Sequence, residues 1–208
     1  MGTTNVGDRN LLKVLEEALR AGITAFQLRE KGEGALVGAE LKALAEQCKV
    51  LCNEYKVPFI INDDVNLALE VGADGVHIGQ QDGVISDVRA KIGADKILGV
   101  SVNTKNDALA ASDAKADYIG VGPLYETKTK TDSNPVVGTE LLSEVVALLP
   151  GLPVVAIGGI TEGKAGTVIR AGASGVAVIS AITGKENAEE ATRSIKGRVT
   201  LALTGVAM

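Results

Sequence analysis

Short, almost wholly apolar runs alternate along the chain with longer segments in which leucine, valine and alanine recur every three or four residues. The runs Thr24–Leu28, Phe59–Asn62, Gly75–Ile78, Lys96–Ser101, Asp117–Gly122, Pro153–Gly158 and Ser174–Ile179 predict seven strands. Unbroken apolarity is what a strand shows when both faces of its sheet are covered, as in parallel sheets. Between the runs, helical spacing predicts helices over Arg9–Ala21, Ala35–Tyr55, Val65–Val71, Ile85–Ile92, Asn106–Ala114, Thr139–Leu149, Glu162–Ala171 and Lys185–Lys196. Gly22 follows the first of these in a C-cap position. The phrases AGIT, VGADGV, KADYIGV and AGASGV each lead into a strand, consistent with one repeated βα unit. The pattern predicts an α/β fold, a (β/α)8 TIM barrel whose functional residues stand at the C-terminal ends of its strands. An open doubly wound sheet lacks support, because no G-x-G-x-x-G follows a first strand. No Pro- or Ser-rich linker interrupts the alternation, so residues 1–208 read as a single domain.

Seven strands would leave two parallel edges exposed. The segment Arg198–Val206, RVTLALTGV, alternates Val199, Leu201 and Leu203 with Thr200, Ala202 and Thr204, which reads as a strand. A right-handed crossover after the last helix would carry it into the open slot. The expectation is that Val199–Thr204 closes the barrel, with the three large apolar side chains toward the helices and Thr200, Ala202 and Thr204 inward. Leu201 would then lie between the strands containing Phe26 and Ala177.

The stretch PFIINDDVNLALEVGADGVHIGQQD, residues 58–82, organises the candidate chemistry. Asn62, Asp63 and Asp64 follow one of its strands, and Gln80, Gln81 and Asp82 follow the next. Successive parallel strands end at one edge, so Asp63 and Asp82 should share a rim. Two carboxylates among amides suit Mg²⁺, completed by waters and a substrate diphosphate. Capping helices is the ordinary alternative for the same aspartates. Gln27, Arg29 and Lys31 end the strand before, and their cations suit a polyanion; ion pairs with Glu30 and Glu33 would account for them equally. Ser101 ends the fourth strand. The loop Leu124–Pro135 contains YETKTKTD, whose alternation would turn Thr127 and Thr129 one way and Lys128 and Lys130 the other. Gly158-Gly159 would let backbone N–H groups approach a ligand closely, or would simply form a tight turn. Ile179 and Ser180 open the segment after the last strand, where barrels commonly bind phosphate.

Composition narrows the function classes. A formal net charge of −5 and 23% charged residues give no support to non-specific nucleic-acid binding. The aromatic residues are Phe26, Tyr55, Phe59, Tyr118 and Tyr125, too few and too scattered for a stacking platform. No apolar run reaches the length of a membrane span, and MGTTNVGDRN lacks a signal-peptide core, so a cytoplasmic protein without membrane partners is expected. Cys48 and Cys52, four apart on a helix, read as buried apolar-like thiols, for no histidine or third cysteine completes a metal site nearby. His77 is the sole histidine and lies within a strand, where packing is its ordinary role. No Ser-His-Asp triad or histidine-based zinc site can be assembled. The partners implied are small molecules; self-association as a homo-oligomer is left open.

Together these motifs resemble the thiamine phosphate synthase family across about Thr3–Ile182. The resemblance is carried by QLREK at 27–31, residues 58–82, GVS at 99–101, DYIGVGPLYETKTKTD at 117–132, PVVAIGGI at 153–160 and AGASGVAVISAI at 171–182, all in one order. It implies a transferase of thiamine biosynthesis. That activity joins 4-amino-2-methyl-5-hydroxymethylpyrimidine diphosphate to 4-methyl-5-(2-phosphooxyethyl)thiazole and releases diphosphate. By the same resemblance, Gln27, Arg29, Lys31, Asn62, Ser101 and Lys130 would contact the pyrimidine diphosphate, with Arg29, Lys31, Ser101 and Lys130 catalytic. Asp63 and Asp82 would hold Mg²⁺, while Thr127, Thr129, Gly159, Ile179 and Ser180 would cradle the thiazole phosphate. The rival readings are a thiazole tautomerase and a non-catalytic phosphate-ligand-binding barrel. Relatives often read GxSxH where this chain reads GVSVN, and Asn103 in the histidine's place weakens the tautomerase. The family usually opens with an apolar first strand before a polar segment like Gly2–Arg9. The closing strand expected at 199–204 would therefore make the topology resemble a circular permutant cut after strand one.

Overall fold

The structure, a computed structural model, describes residues 1–127, 129 and 135–205. Seven parallel strands pair in sequence order: β1 (Phe26–Leu28), β2 (Phe59–Asn62), β3 (Gly75–Ile78), β4 (Ile97–Val102), β5 (Tyr118–Val121), β6 (Val154–Ile157) and β7 (Gly175–Ala177). The central strands β2 to β5 are buried almost throughout, and Phe26 of β1 stacks on Phe59 of β2 at 6.0 Å between ring centroids.

Helices cover the outer face. In α1 (Leu11–Arg20), Asn10 caps the first turn by accepting from the Lys13 N–H at 3.2 Å, and Leu11, Val14, Leu15, Ala18 and Leu19 form its buried stripe. Gly22 turns the chain away at φ 87°, the positive angle that its C-cap position calls for. The second helix, α2 (Gly38–Glu54), starts later than its sequence pattern, because the Leu36 N–H is held by the Glu30 carboxylate at 3.1 Å. Then come α3 (Val65–Glu70), α4 (Ile85–Ile92), α5 (Lys105–Asp113), α6 (Gly138–Leu148), α7 (Glu162–Arg170) and the short α8 (Ser180–Thr183).

The C-terminal segment is not the closing strand that its alternation predicts. Residues Ala188–Thr204 form one helix, α9, which packs against α7 and α1. Ile195, Val199 and Ala202, spaced four and three apart, lie on the core side, whereas Leu201 and Leu203 remain exposed. A six-residue alternation of valine and leucine with small residues fits either period, and continuity with the buried Ile195 decides for the helix. Arg20–Glu189 and Arg198–Glu162 ion pairs, each at 3.3 Å, tie α9 to its neighbours. The ring of helices thus spans the gap between β7 and β1, although no strand lies there among the described residues. Instead of Leu201, Met1 occupies the edge of β1: its amine donates to the Gln27 carbonyl at 2.7 Å, and its carbonyl accepts from the Arg29 N–H at 3.1 Å. Burial, with Arg29 nearby, lowers that amine to about 5.

Cys48 and Cys52 are both fully buried on α2, and burial pushes each thiol up to about 12. Since only the thiolate is nucleophilic, neither should react with iodoacetamide at pH 8 while the protein is folded. Mass spectrometry should show unmodified native protein and two adducts after denaturation; rapid native labelling would contradict this packing. No described helix is long and apolar enough to cross a membrane.

Candidate functional site

The β2 and β3 ends do meet at one rim. At the end of β2 the chain turns sharply: Asp63 adopts φ 64°, and its N–H donates to the His77 carbonyl at 2.8 Å. A non-glycine residue in this left-handed region is uncommon and favours aspartate or asparagine. Asp64, next in line, caps α3 by accepting from the Leu67 N–H at 2.9 Å, so one of the two adjacent aspartates serves the helix and the other faces the rim. Asp82 returns over the β3 end and accepts from the Gly79 N–H at 2.8 Å.

The two rim carboxylates sit close enough to interact directly. Burial holds the Asp63 carboxyl above its usual value, Lys31 pulls it down through an ion pair, and Asp82 raises it again. Ionised Asp63 is therefore a group whose charge the fold does not fully compensate, and a divalent cation would supply the compensation. Among the described residues no three metal-ligating side chains cluster, so the protein offers two carboxylates and leaves other positions to water and ligand. That donor set fits Mg²⁺, which commonly binds through one or two carboxylates plus substrate phosphates.

Around this pair stand the other polyanion candidates. Arg29 is buried, at 7% exposure, directly after β1. Lys31 is half-exposed beside Asp63. Asn62 ends β2 in register with His77, and the Gln80 amide donates to the Ser101 carbonyl at 2.8 Å, drawing the β3 and β4 ends together. The Ser101 hydroxyl lies 2.8 Å from His77 Nε2, while Nδ1 of the same ring is 2.9 Å from the Tyr118 hydroxyl. Burial raises Tyr118 to about 12, opposed by a hydrogen bond from the Gln27 side chain. Asn103 binds the Gly122 carbonyl through its amide, tying the β4 end to the β5 end.

A second cluster forms across the ends of β5, β6 and β7. Thr129 Oγ1 lies 3.4 Å from Ser180 Oγ, and the Thr129 N–H donates to Thr127 Oγ1 at 3.2 Å. Gly159, at φ 66°, backs this segment so closely that a Cβ there would stand 2.5 Å from the Glu126 carbonyl oxygen. Ile179 immediately precedes α8, whose first residue is Ser180. Lys164 reaches back from α7 to the Gly159 carbonyl at 3.3 Å, its ammonium 4.1 Å from the Tyr125 ring centroid. Lys128 and Lys130 lie outside the described residues.

Of the sequence candidates, then, Gln27, Arg29, Lys31, Asn62, Asp63, Asp82 and Ser101 gather at the β1–β4 ends. Thr127, Thr129, Gly159, Ile179 and Ser180 gather at the β5–β7 ends. The residues that sequence reasoning passed over are Tyr118 and His77, whose side chains meet inside the barrel. The available signal was the register of GVHIG, ILGVS and DYIGV, which sets His77, Gly99 and Tyr118 level with one another.

The chain matches the family model described as thiamine monophosphate synthase over residues 1–182. It is 52% identical over 196 residues to a thiamine-phosphate synthase of Lysinibacillus sphaericus, covering 94% of this chain and 92% of that protein. It is also 52% identical over 200 residues to a thiamine-phosphate synthase of Bacillus licheniformis, with 96% and 88% covered. The fold superimposes on thiamine phosphate pyrophosphorylase from Pyrococcus furiosus with a TM-score of 0.84 at 35% identity, covering 94% of this chain and 92% of that one.

Proposed function

The chain belongs to the thiamine monophosphate synthase family, and we propose that its strand-end rim joins 4-amino-2-methyl-5-hydroxymethylpyrimidine diphosphate to 4-methyl-5-(2-phosphooxyethyl)thiazole, releasing diphosphate. The observation that carries this reading is the division of the rim into two half-sites of different chemistry. Cations and paired carboxylates gather at the β1–β4 ends, and hydroxyls with a closely backed glycine at the β5–β7 ends.

In the first half-site Asp63 and Asp82 would hold Mg²⁺, which when bound neutralises phosphate oxygens. Arg29 and Lys31 add positive charge where the leaving diphosphate accumulates negative charge. Asn62, Ser101 and Gln27 orient the diphosphate and the pyrimidine. By resemblance alone, Lys130 joins the same group. In the second half-site Thr127, Thr129 and Ser180 offer hydroxyls to the thiazole phosphate, with Gly159 and Ile179 shaping the cradle. The carbon–oxygen bond to diphosphate breaks, the aminopyrimidine delocalises the positive charge left on its methylene carbon, and the thiazole nitrogen bonds to that carbon. Alignment and electrostatic stabilisation suffice for such a reaction, so a protein nucleophile is not required. The substrates are small molecules, and the same reading makes the chain a Mg²⁺-dependent transferase.

Incubation with both substrates and Mg²⁺, followed by product chromatography, tests the assignment. Thiamine phosphate is the expected product. Isomerisation of a thiazole carboxylate phosphate without coupling would instead mark a tautomerase, and binding without any product would mark a phosphate-ligand binder.

A further inference from the structure

Asn62, His77, Gly99 and Tyr118 are register partners on β2, β3, β4 and β5, so they form one row across the sheet. The glycine makes the row work. A Cβ on Gly99 would overlap the Tyr118 ring and hydroxyl and His77 Nδ1, so the two rings meet through the space that this residue leaves empty. Their centroids are 5.4 Å apart at 36°, with the Nδ1-to-hydroxyl contact at 2.9 Å. His77 is itself buried, at 6% exposure. With Ser101 on its Nε2 side, Tyr118 on its Nδ1 side and the Gln27 side chain acting on the Tyr118 phenol, the polar groups Gln27, Tyr118, His77 and Ser101 link in that sequence.

The hydrogen-bond inventory of these groups allows a single consistent direction when Ser101 serves a phosphate. A serine hydroxyl has one proton. Donated to a diphosphate oxygen, it leaves the serine oxygen to accept from His77, so Nε2 carries the proton. In the neutral imidazole Nδ1 is then an acceptor, and Tyr118 must donate to it. The tyrosine oxygen in turn accepts from the Gln27 amide N–H, in keeping with the opposing influence of Gln27 on the phenol. The Gln27 carbonyl oxygen is left as an acceptor at the far end, matched to an N–H of an aminopyrimidine.

We propose that His77 and Tyr118 are positioning residues that form a one-way hydrogen-bond chain, fixing Ser101 as donor to the diphosphate and the Gln27 carbonyl oxygen as acceptor for the pyrimidine amine. The inference rests on the synthase reading above and adds how one substrate is recognised at both ends at once. A buried chain of this kind polarises each member in the same sense, and loss of one link leaves the others without a defined orientation.

The single histidine makes the test direct. In protein labelled with ¹⁵N-histidine and saturated with the pyrimidine diphosphate without the thiazole phosphate, the ring nitrogens of wild type should show the Nε2–H tautomer, and Tyr118→Phe should show a mixture of tautomers. In steady-state assays Tyr118→Phe should raise KM for the pyrimidine diphosphate by about 10- to 100-fold, leaving KM for the thiazole phosphate within twofold. An Nδ1–H tautomer in wild type, or a Tyr118→Phe variant with unchanged tautomer and unchanged KM for the diphosphate, overturns the chain even if the enzyme is active. Wild type that makes no thiamine phosphate overturns the synthase reading itself, and this inference with it.

Discussion

Replacing Asp63 and Asp82 together with alanine is expected to lower turnover by at least about a thousandfold, or roughly 4 kcal/mol of transition-state stabilisation. The reason lies in what the two carboxylates do at the rim. Burial raises the proton affinity of Asp63 and the nearby Asp82 adds to it, so Asp63 does not find full compensation within the protein. A group in that position contributes little to folding in its ionised form, and its place at the rim suits a ligand that brings positive charge. The melting temperature of the Asp63→Asn, Asp82→Asn variant in metal-free buffer should accordingly match or exceed that of wild type, because asparagine tolerates the φ of 64° at residue 63 and, at residue 82, its side-chain carbonyl can still accept from the Gly79 N–H. Chelation should reproduce the kinetic loss in wild type and leave the double alanine variant unaffected. Full activity in chelator, or in the double variant, would contradict the assignment of these residues to Mg²⁺.

The second large effect is expected at Gly159. Its φ of 66° costs an L-residue about 1–2 kcal/mol, and a Cβ there would press on the Glu126 carbonyl and on Tyr125. Gly159→Ala should therefore displace the segment that carries Thr127 and Thr129. A misplacement of about 1 Å near a reacting centre can cost about a hundredfold. The expected result is a rise of that order in KM for the thiazole phosphate, with KM for the pyrimidine diphosphate nearly unchanged. Gly163→Ala is the control, because its Cβ would meet nothing within 4 Å; it should leave both constants alone. Equal defects toward both substrates in Gly159→Ala would show that the rim is not divided as described.

Much of this architecture is readable from residue order, for reasons that are physical. Strands covered on both faces are apolar without interruption, so FIIN, GVHI and ILGVS announce themselves, and their polar successors fall on one rim because parallel strands end together. Asp63 and Asp82 could be paired from that rule alone. The last helix, by contrast, does not stop at Lys196 as its pattern predicts: α9 runs on through Gly197, since an interior glycine costs only about 1 kcal/mol relative to alanine. Beyond it, Val199–Thr204 satisfies a two-residue period and a helical one, and only the tertiary stripe with Ile195 separates them. The His77–Tyr118 contact was hidden for another reason. It joins strands that are not adjacent, through the empty place of Gly99, and an absent side chain carries no local signal of what fills its space.

Rapid-quench measurement of a single turnover tests the central claim most directly. Enzyme in excess is mixed with the pyrimidine diphosphate, the thiazole phosphate and Mg²⁺, and both products are counted. One diphosphate should appear for each thiamine phosphate, and neither should form in chelator. Binding of both phosphate ligands at the rim with no diphosphate released would contradict the account.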